Sequence, residues 1–288
     1  MQAPLFIVWR ESVEALLVVG ILYAWLKREN LTSQINQLWI GAGLGFLLAG
    51  ILAIAFWIAG QWFSGPGGEW FFTFTMMSAS ILILQMITWM HRHGSSMKKQ
   101  LEMEVARSMT RSGSFGIMIL TMIAIAREGS ETVVFLAGIG LQQQGTSLGL
   151  FILGGMTGFG LAVFTFVLLQ KFSGIISWKW YFRISEFVLL LIGGAMMVNA
   201  FDKAASQLSV YDLPEWIYSF MDSPLWSTQW LLPDNNMLVS LTGYHANPSL
   251  MQTGILVLYW ATAIILCSSG SRKNRKQKNM TERSPQAV

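Results

Sequence analysis

Seven apolar stretches, at about 4–26, 39–60, 70–90, 115–140, 149–170, 182–201 and 250–268, dominate this sequence of 288 residues. Runs of roughly 17 to 26 such residues are long enough to cross a hydrocarbon core. In lipid every backbone N–H and C=O must find its partner within the protein, so such a segment folds as a helix or joins a closed barrel. The two-residue alternation of a barrel strand is missing here. The expected fold class is therefore an all-α, multi-pass membrane protein with seven transmembrane helices. Composition agrees, with 53% hydrophobic and 12% charged residues and a mean hydropathy of +0.49.

The loops set the orientation. Of nineteen Lys and Arg residues, sixteen fall on one side of such a seven-span chain. They are Lys27, Arg28, Arg92, Lys98, Lys99, Arg107, Arg111, Lys171, Lys179, Arg183, Arg272, Lys273, Arg275, Lys276, Lys278 and Arg283; the opposite connections hold only Lys203. The positive-inside bias then puts the N-terminus outside and the C-terminus in the cytoplasm. The pI near 9.3 reports this asymmetry rather than nucleic-acid binding. A single cysteine, Cys267, rules out an intrachain disulfide framework and a Cys-based metal cluster. The first segment has no basic leader and carries charge in its middle, so it is expected to remain as a span. Trp25, Trp39, Trp57, Trp62, Trp70, Trp89, Trp178 and Trp180 stand near segment ends, as an interfacial belt requires.

Charges inside two of the segments carry the functional information. "RESVE" in the first segment and "REGSE" in the fourth place Arg10, Glu11 and Glu14, and again Arg127, Glu128 and Glu131, at one spacing and an offset of 117 residues. Each is followed by a glycine-rich apolar span and then a third span. The chain therefore reads as repeat one (about 4–90), repeat two (about 115–201), an outer segment 202–249, a seventh helix 250–268 and a basic cytoplasmic tail 269–288 expected to be disordered. Three crossings per repeat make the halves face opposite ways, a 3+3 inverted repeat plus one extra helix. At about 100° per residue the Arg and both Glu of each motif share one helix face. The arginines reach Glu14 and Glu131 at i,i+4, which leaves Glu11 and Glu128 without a local countercharge.

Four carboxylates against two guanidiniums leave two negative charges in a medium that tolerates none, and protons or a cation must balance them. Buried ion pairs fixing helix packing are the structural alternative, but such pairs are costly relative to apolar contacts. An all-oxygen set suits hard cations such as Mg²⁺, Ca²⁺, Mn²⁺ or Fe³⁺ rather than Cu⁺. Glu69, at the outer mouth of the third segment, either passes a cation inward or complements a helix N-terminus. His91 and His93 fall just beyond the cytoplasmic end of that segment, where they either receive exiting metal or, on the favoured reading, form a solvated loop pair. Met76, Met77, Met86 and Met90 read as packing, and Gln85 is a candidate for a hydrogen bond between helices. Asp202, Asp212, Glu215, Asp222 and Asp234 make the outer segment acidic. Haem chemistry lacks axial ligands within the spans, and no phosphate-binding loop for ATP is present. The chain is expected not to be an enzyme. A proton-coupled carrier of another hard divalent cation or of a small substrate is the rival to a metal permease.

The paired Arg-Glu-x-x-Glu elements, together with "GGEWFF", "YFRISEFVLLLIGGAMM" and "LTGYHANPSLMQTGILVLYW", resemble the oxidase-dependent iron transporter family, the high-affinity iron permeases of fungi and bacteria. The likeness runs from about residue 3 to 268. It implies a permease that imports Fe³⁺ made by an extracytoplasmic oxidase, with Glu11, Glu14, Glu128 and Glu131 as ligands and Arg10 and Arg127 orienting them. Iron is then substrate, with no permanently bound cofactor. An oxidase or iron-binding protein and the lipid bilayer are its partners, and the compact chain suits a bacterial inner membrane. Ser12 replaces a glycine common in that family, and Glu186 stands where a small hydroxyl residue is more usual.

Overall fold

The computed structural model describes residues 2–63, 66–93, 103–104, 107, 114–140, 146–171, 178–209, 214, 221, 223–227 and 242–282. These residues are helical almost throughout; outside the helices the one bridge between extended segments joins Pro224 to Ser249. Seven long helices follow one another: α1 (Gln2–Arg28), α2 (Ile35–Trp62), α3 (Pro66–His93), α4 (Ser114–Gly140), α5 (Thr146–Lys171), α6 (Trp178–Leu208) and α7 (Leu250–Glu282). Each coincides with one apolar stretch and overruns it at one or both ends, because hydropathy marks the part suited to hydrocarbon while hydrogen bonding carries the helix into the interface. Five are long and apolar enough to cross a membrane, over Thr32–Trp62, Gly67–Met90, Ser147–Lys171, Tyr181–Leu208 and Leu250–Ser268. Helices α1 and α4, of 27 residues each, match these in length but carry the two charged motifs. Helix α7 runs through the basic stretch expected to be disordered; from Ser271 to Glu282 no Gly or Pro interrupts a sequence rich in Lys, Arg and Gln, all good helix formers.

The chain divides into two compact units. The first comprises residues 1–79 and 98–189, thus α1, α2, α4, α5 and the first parts of α3 and α6. Within it α2 packs along α4, and α1 along α5 and α4. Small residues set these distances. Gly41, Gly45 and Ala49 form one stripe on α2, and a Cβ added at Gly41 would strike the carbonyl of Met118, while one at Gly45 would lie 2.7 Å from the carbonyl oxygen of Met122. Ala49 in turn fills the space that Gly129 leaves open. The contacts advance together along both chains, so α2 and α4 run parallel. On α5, Gly158 meets the carbonyl of Leu5 and Thr165 meets Trp9, so α5 and α1 run parallel as well. Such small-residue stripes bring helix backbones close where lipid offers no hydrophobic drive for association. Leu22 and Leu26, late in α1, share a core with Leu38 of α2 and Ile117 at the start of α4, so α1 and α4 are antiparallel.

The second unit comprises residues 80–97 and 190–288. The Ser80 hydroxyl donates to the Gly193 carbonyl at 2.7 Å, and the Tyr259 hydroxyl to the Leu190 carbonyl at 3.0 Å, tying α3, α6 and α7 together. Met86 and Met90 are buried here, as packing residues should be, whereas Gln85 is exposed. Ser249 and Gln252 form a capping box at the start of α7, each side chain accepting from the other's backbone N–H. Gln252 also donates to Asp202 at 3.0 Å. Asp212, Glu215, Asp222 and Asp234, the loop lysines Lys98 and Lys99, and the side chains of His91 and His93 lie outside the described residues.

The stripe on α2 makes a direct prediction. Gly45→Leu, which drives four carbons into the α4 backbone, should abolish recovery of folded protein from the membrane or lower its thermal midpoint by 10 °C or more, to order of magnitude. Gly43→Leu, at a position with open space around it, should leave both unchanged. The check is size-exclusion yield and a thermal melt of the detergent-solubilised chain.

Candidate metal centre

Both charged motifs lie within the first unit, on α1 and α4, and the antiparallel course of these helices brings them to one level. Arg10, Glu11 and Glu14 are buried, with Arg10 only 2% exposed. The Arg10 guanidinium forks: Nη1 lies 2.7 Å from Glu11 Oε1 and Nη2 lies 2.7 Å from Glu14 Oε1. The expected pairing with Glu14 is present, but Glu11 has a local countercharge after all. Helix spacing points only to the i,i+4 partner, whereas a planar guanidinium presents two terminal nitrogens and can serve the adjacent residue at the same time. On α4, Arg127 Nε donates to Glu131 Oε1 at 3.0 Å, the expected i,i+4 pair. The Thr132 hydroxyl donates back to the Glu128 carbonyl and the Ser130 hydroxyl to the Arg127 carbonyl, so both are absorbed by the helix backbone.

One oxygen each from Glu11, Glu128 and Glu131 lies within 4.8 Å of the others. Glu11 Oε2, Glu128 Oε2 and Glu131 Oε2 are shielded from solvent and have no hydrogen-bond partner among the described residues. Three inward-facing carboxylates with unused lone pairs are a donor set for a hard cation. Of the five glutamates singled out from the sequence, the structure therefore brings three together. Glu14 is held by Arg10 outside that group. Glu69 lies half-buried in the first turn of α3, where its carbonyl accepts the Thr73 hydroxyl at 2.9 Å, also outside the group.

An aromatic buttress beside the first motif escaped the sequence reading. Trp9 donates from Nε1 to Thr165 Oγ1 on α5 at 3.0 Å, and its ring meets that of Tyr181 edge to face at 5.2 Å. Tyr181 in turn packs with Val13 and Ala162. These contacts fix the α1 turn that carries Arg10. Only adjacency to Arg10 could have flagged Trp9, because tryptophans in such a chain are explained well enough as interfacial anchors.

The sequence model of the iron permease FTR1 family matches residues 1–269. Similar proteins include the ferrous iron permease EfeU of Escherichia coli O6:K15:H31, 27% identical over 272 residues that cover 92% of this chain and 94% of the relative. A ferrous iron permease EfeU of Yersinia pestis is 26% identical over 279 residues, with 92% and 93% covered. High affinity iron permease 1 of Rhizopus delemar is 23% identical over 257 residues, with 80% and 68% covered. No solved structure matches the chain.

The Arg10 fork is expected to dominate local stability. Arg10→Met strands two buried carboxylates and should cost about 3–5 kcal/mol, whereas Thr165→Val removes one neutral hydrogen bond and should cost about 1 kcal/mol. Chemical denaturation of the solubilised chain, followed by tryptophan fluorescence, separates the two.

Proposed function

Because this chain belongs to the iron permease FTR1 family, we propose that it is a seven-span permease that imports iron across a bacterial inner membrane. Its cation site is the carboxylate group of Glu11, Glu128 and Glu131. Glu14 acts through its ion pair with Arg10, and Glu69 is a station at the outer mouth. The single observation that carries this reading is the convergence of three carboxylates from two antiparallel helices to within 4.8 Å, with oxygens that no donor satisfies. Family membership supports iron as the cargo, and the geometry supports a hard-cation site at these residues.

Helices α1 and α4 complete the count of spans. Arg10, Glu11 and Glu14 face the protein interior, and Glu128 and Glu131 are largely covered, which suits charged spans that meet protein or water rather than lipid. The inverted repeat is supported by a swap in packing: the second helix of each half lies along the first helix of the other, α2 on α4 and α5 on α1. Gly41 and Gly158, at the same offset of 117 residues as the charged motifs, each make a close backbone approach, one in either half. A site assembled from both halves is one that a shift of the halves can open to either side in turn. The N-terminus lies outside and the C-terminus in the cytoplasm.

The ion presented to the site is Fe³⁺, supplied by an extracytoplasmic oxidase or binding protein. A cluster of anionic oxygens without sulfur or imidazole favours the harder oxidation state. The bacterial relatives are named as ferrous iron permeases, and the test includes that species.

Cells lacking other iron uptake, expressing the chain with an iron-oxidising partner, should accumulate radioactive iron. Glu11→Gln, Glu128→Gln and Glu131→Gln should each lower the rate at least about tenfold at equal membrane abundance, and Glu69→Gln should do so less. Uptake at the parental rate in all three would remove the cluster from the mechanism. Iron offered with ascorbate, which keeps it ferrous, should enter more slowly; equal or faster entry assigns Fe²⁺. Displacement of iron by equimolar Mn²⁺ or Mg²⁺ would favour a general carrier of hard divalent cations.

A further inference from the structure

The two motifs are alike in sequence and unlike in surroundings. The Arg10 side chain is 2% exposed and engages two carboxylates, Glu11 and Glu14. The Arg127 side chain is 44% exposed and reaches Glu131 through Nε. Resting on the iron-site reading above, we infer that Arg127 is a displaceable countercharge on the open side of the carboxylate group, while Arg10 is a fixed clamp on its closed side.

Three observations carry this. First, a guanidinium exposed to that extent inside a membrane helix is costly against hydrocarbon, so its surroundings are wet. Along α4 the exposed stripe is apolar at Phe115, Ile119 and Ile123 and turns polar at Arg127, which places the wetted stretch at the level of the cluster. Second, each arginine holds one member of the group of three, Arg127 the Glu131 carboxylate and Arg10 that of Glu11, while Glu14, also held by Arg10, lies outside it. A cation entering the group therefore meets the Arg127 charge on one of its own ligands. Third, the exposed Arg127 side chain has open space on its outer side into which it can swing, whereas Arg10 is 2% exposed and its departure would leave two buried carboxylates without a countercharge. Glu11 keeps Oε2 unpartnered with Arg10 in place, so it can contribute an oxygen while the clamp stays closed. Arg127 is a positioning residue in this sense: it holds Glu131 in the empty site and yields it to the ion.

An orienting role and a displaceable one make opposite predictions for affinity. The test is equilibrium binding of ferric citrate to the full-length, detergent-solubilised chain, with a thermal melt of each variant as the control for folding. Arg127→Gln is expected to bind iron about three- to tenfold more tightly than the parent, since the competing charge is gone, at an unchanged thermal midpoint. Arg127→Lys, which keeps the charge but loses the planar fork, is expected to match the parent. Weaker or equal binding by a folded Arg127→Gln overturns the inference, and so does weaker binding by Arg127→Lys. If the Gln variant does not fold, the Lys variant decides alone by the same criterion. Absence of saturable binding in the parent would overturn the iron site itself. Saturable binding in the parent that Glu128→Gln abolishes, without tightening in Arg127→Gln, would overturn only the role given to Arg127.

Discussion

The cost of charge in a membrane is the constraint from which the rest of this structure follows. An ionisable group at mid-bilayer costs about 2.5–3.5 kcal/mol even on lenient insertion scales, and here six stand on two helices. They persist because they face one another across the α1–α4 crossing. Two guanidiniums cannot neutralise four carboxylates, however. The excess is concentrated where Glu11, Glu128 and Glu131 meet, and a site that is electrostatically incomplete when empty is one that a polyvalent cation completes. The cluster is a poor solution for stability alone, since apolar side chains of similar volume would serve a pure packing role at less cost.

Bringing the acids together depends on residues that carry no charge at all. The helices can stand close only because Gly41 and Gly45 admit the backbone of α4, and Gly158 admits that of α1. Replace those glycines with ordinary side chains and α2 must move off α4, and α5 off α1. The glycine-rich character of α2 and α5 thus seats the two helices that carry the glutamates. The same logic explains the absence of large aliphatic side chains from these stripes in helices otherwise crowded with them.

Much of this was legible in the sequence, for identifiable reasons. Apolar run length and hydrogen-bond necessity placed the seven helices, because lipid leaves the backbone almost no alternative. The spacing of Arg10 to Glu14 and Arg127 to Glu131 forecast two ion pairs, because helix geometry is local. What periodicity could not give was tertiary in origin. The second bond of the Arg10 fork depends on the side-chain conformation of a buried guanidinium, and the neighbouring Trp9 contacts with Thr165 and Tyr181 join three separate helices. The exclusion of Glu14 from the group of three is likewise a matter of where α1 and α4 meet. Helix α7 continues through its basic end because ordinary helix propensity operates there once hydropathy has fallen silent.

The difference between near-identical motifs is where a transport cycle would have to reside. A site whose two halves were equally buried would hold its ion sealed, and one whose halves were equally open would leak. Here a tight, buried fork walls one side, and the exposed Arg127–Glu131 pair borders the other. Exchanging those environments between the halves would turn the opening of the site to the opposite face, and in a duplicated chain the two arrangements need differ by only a few kcal/mol for both to be populated. On the proposed reading, sequence repetition supplies the ligands twice, and the unequal packing around Arg10 and Arg127 would make the halves functionally distinct.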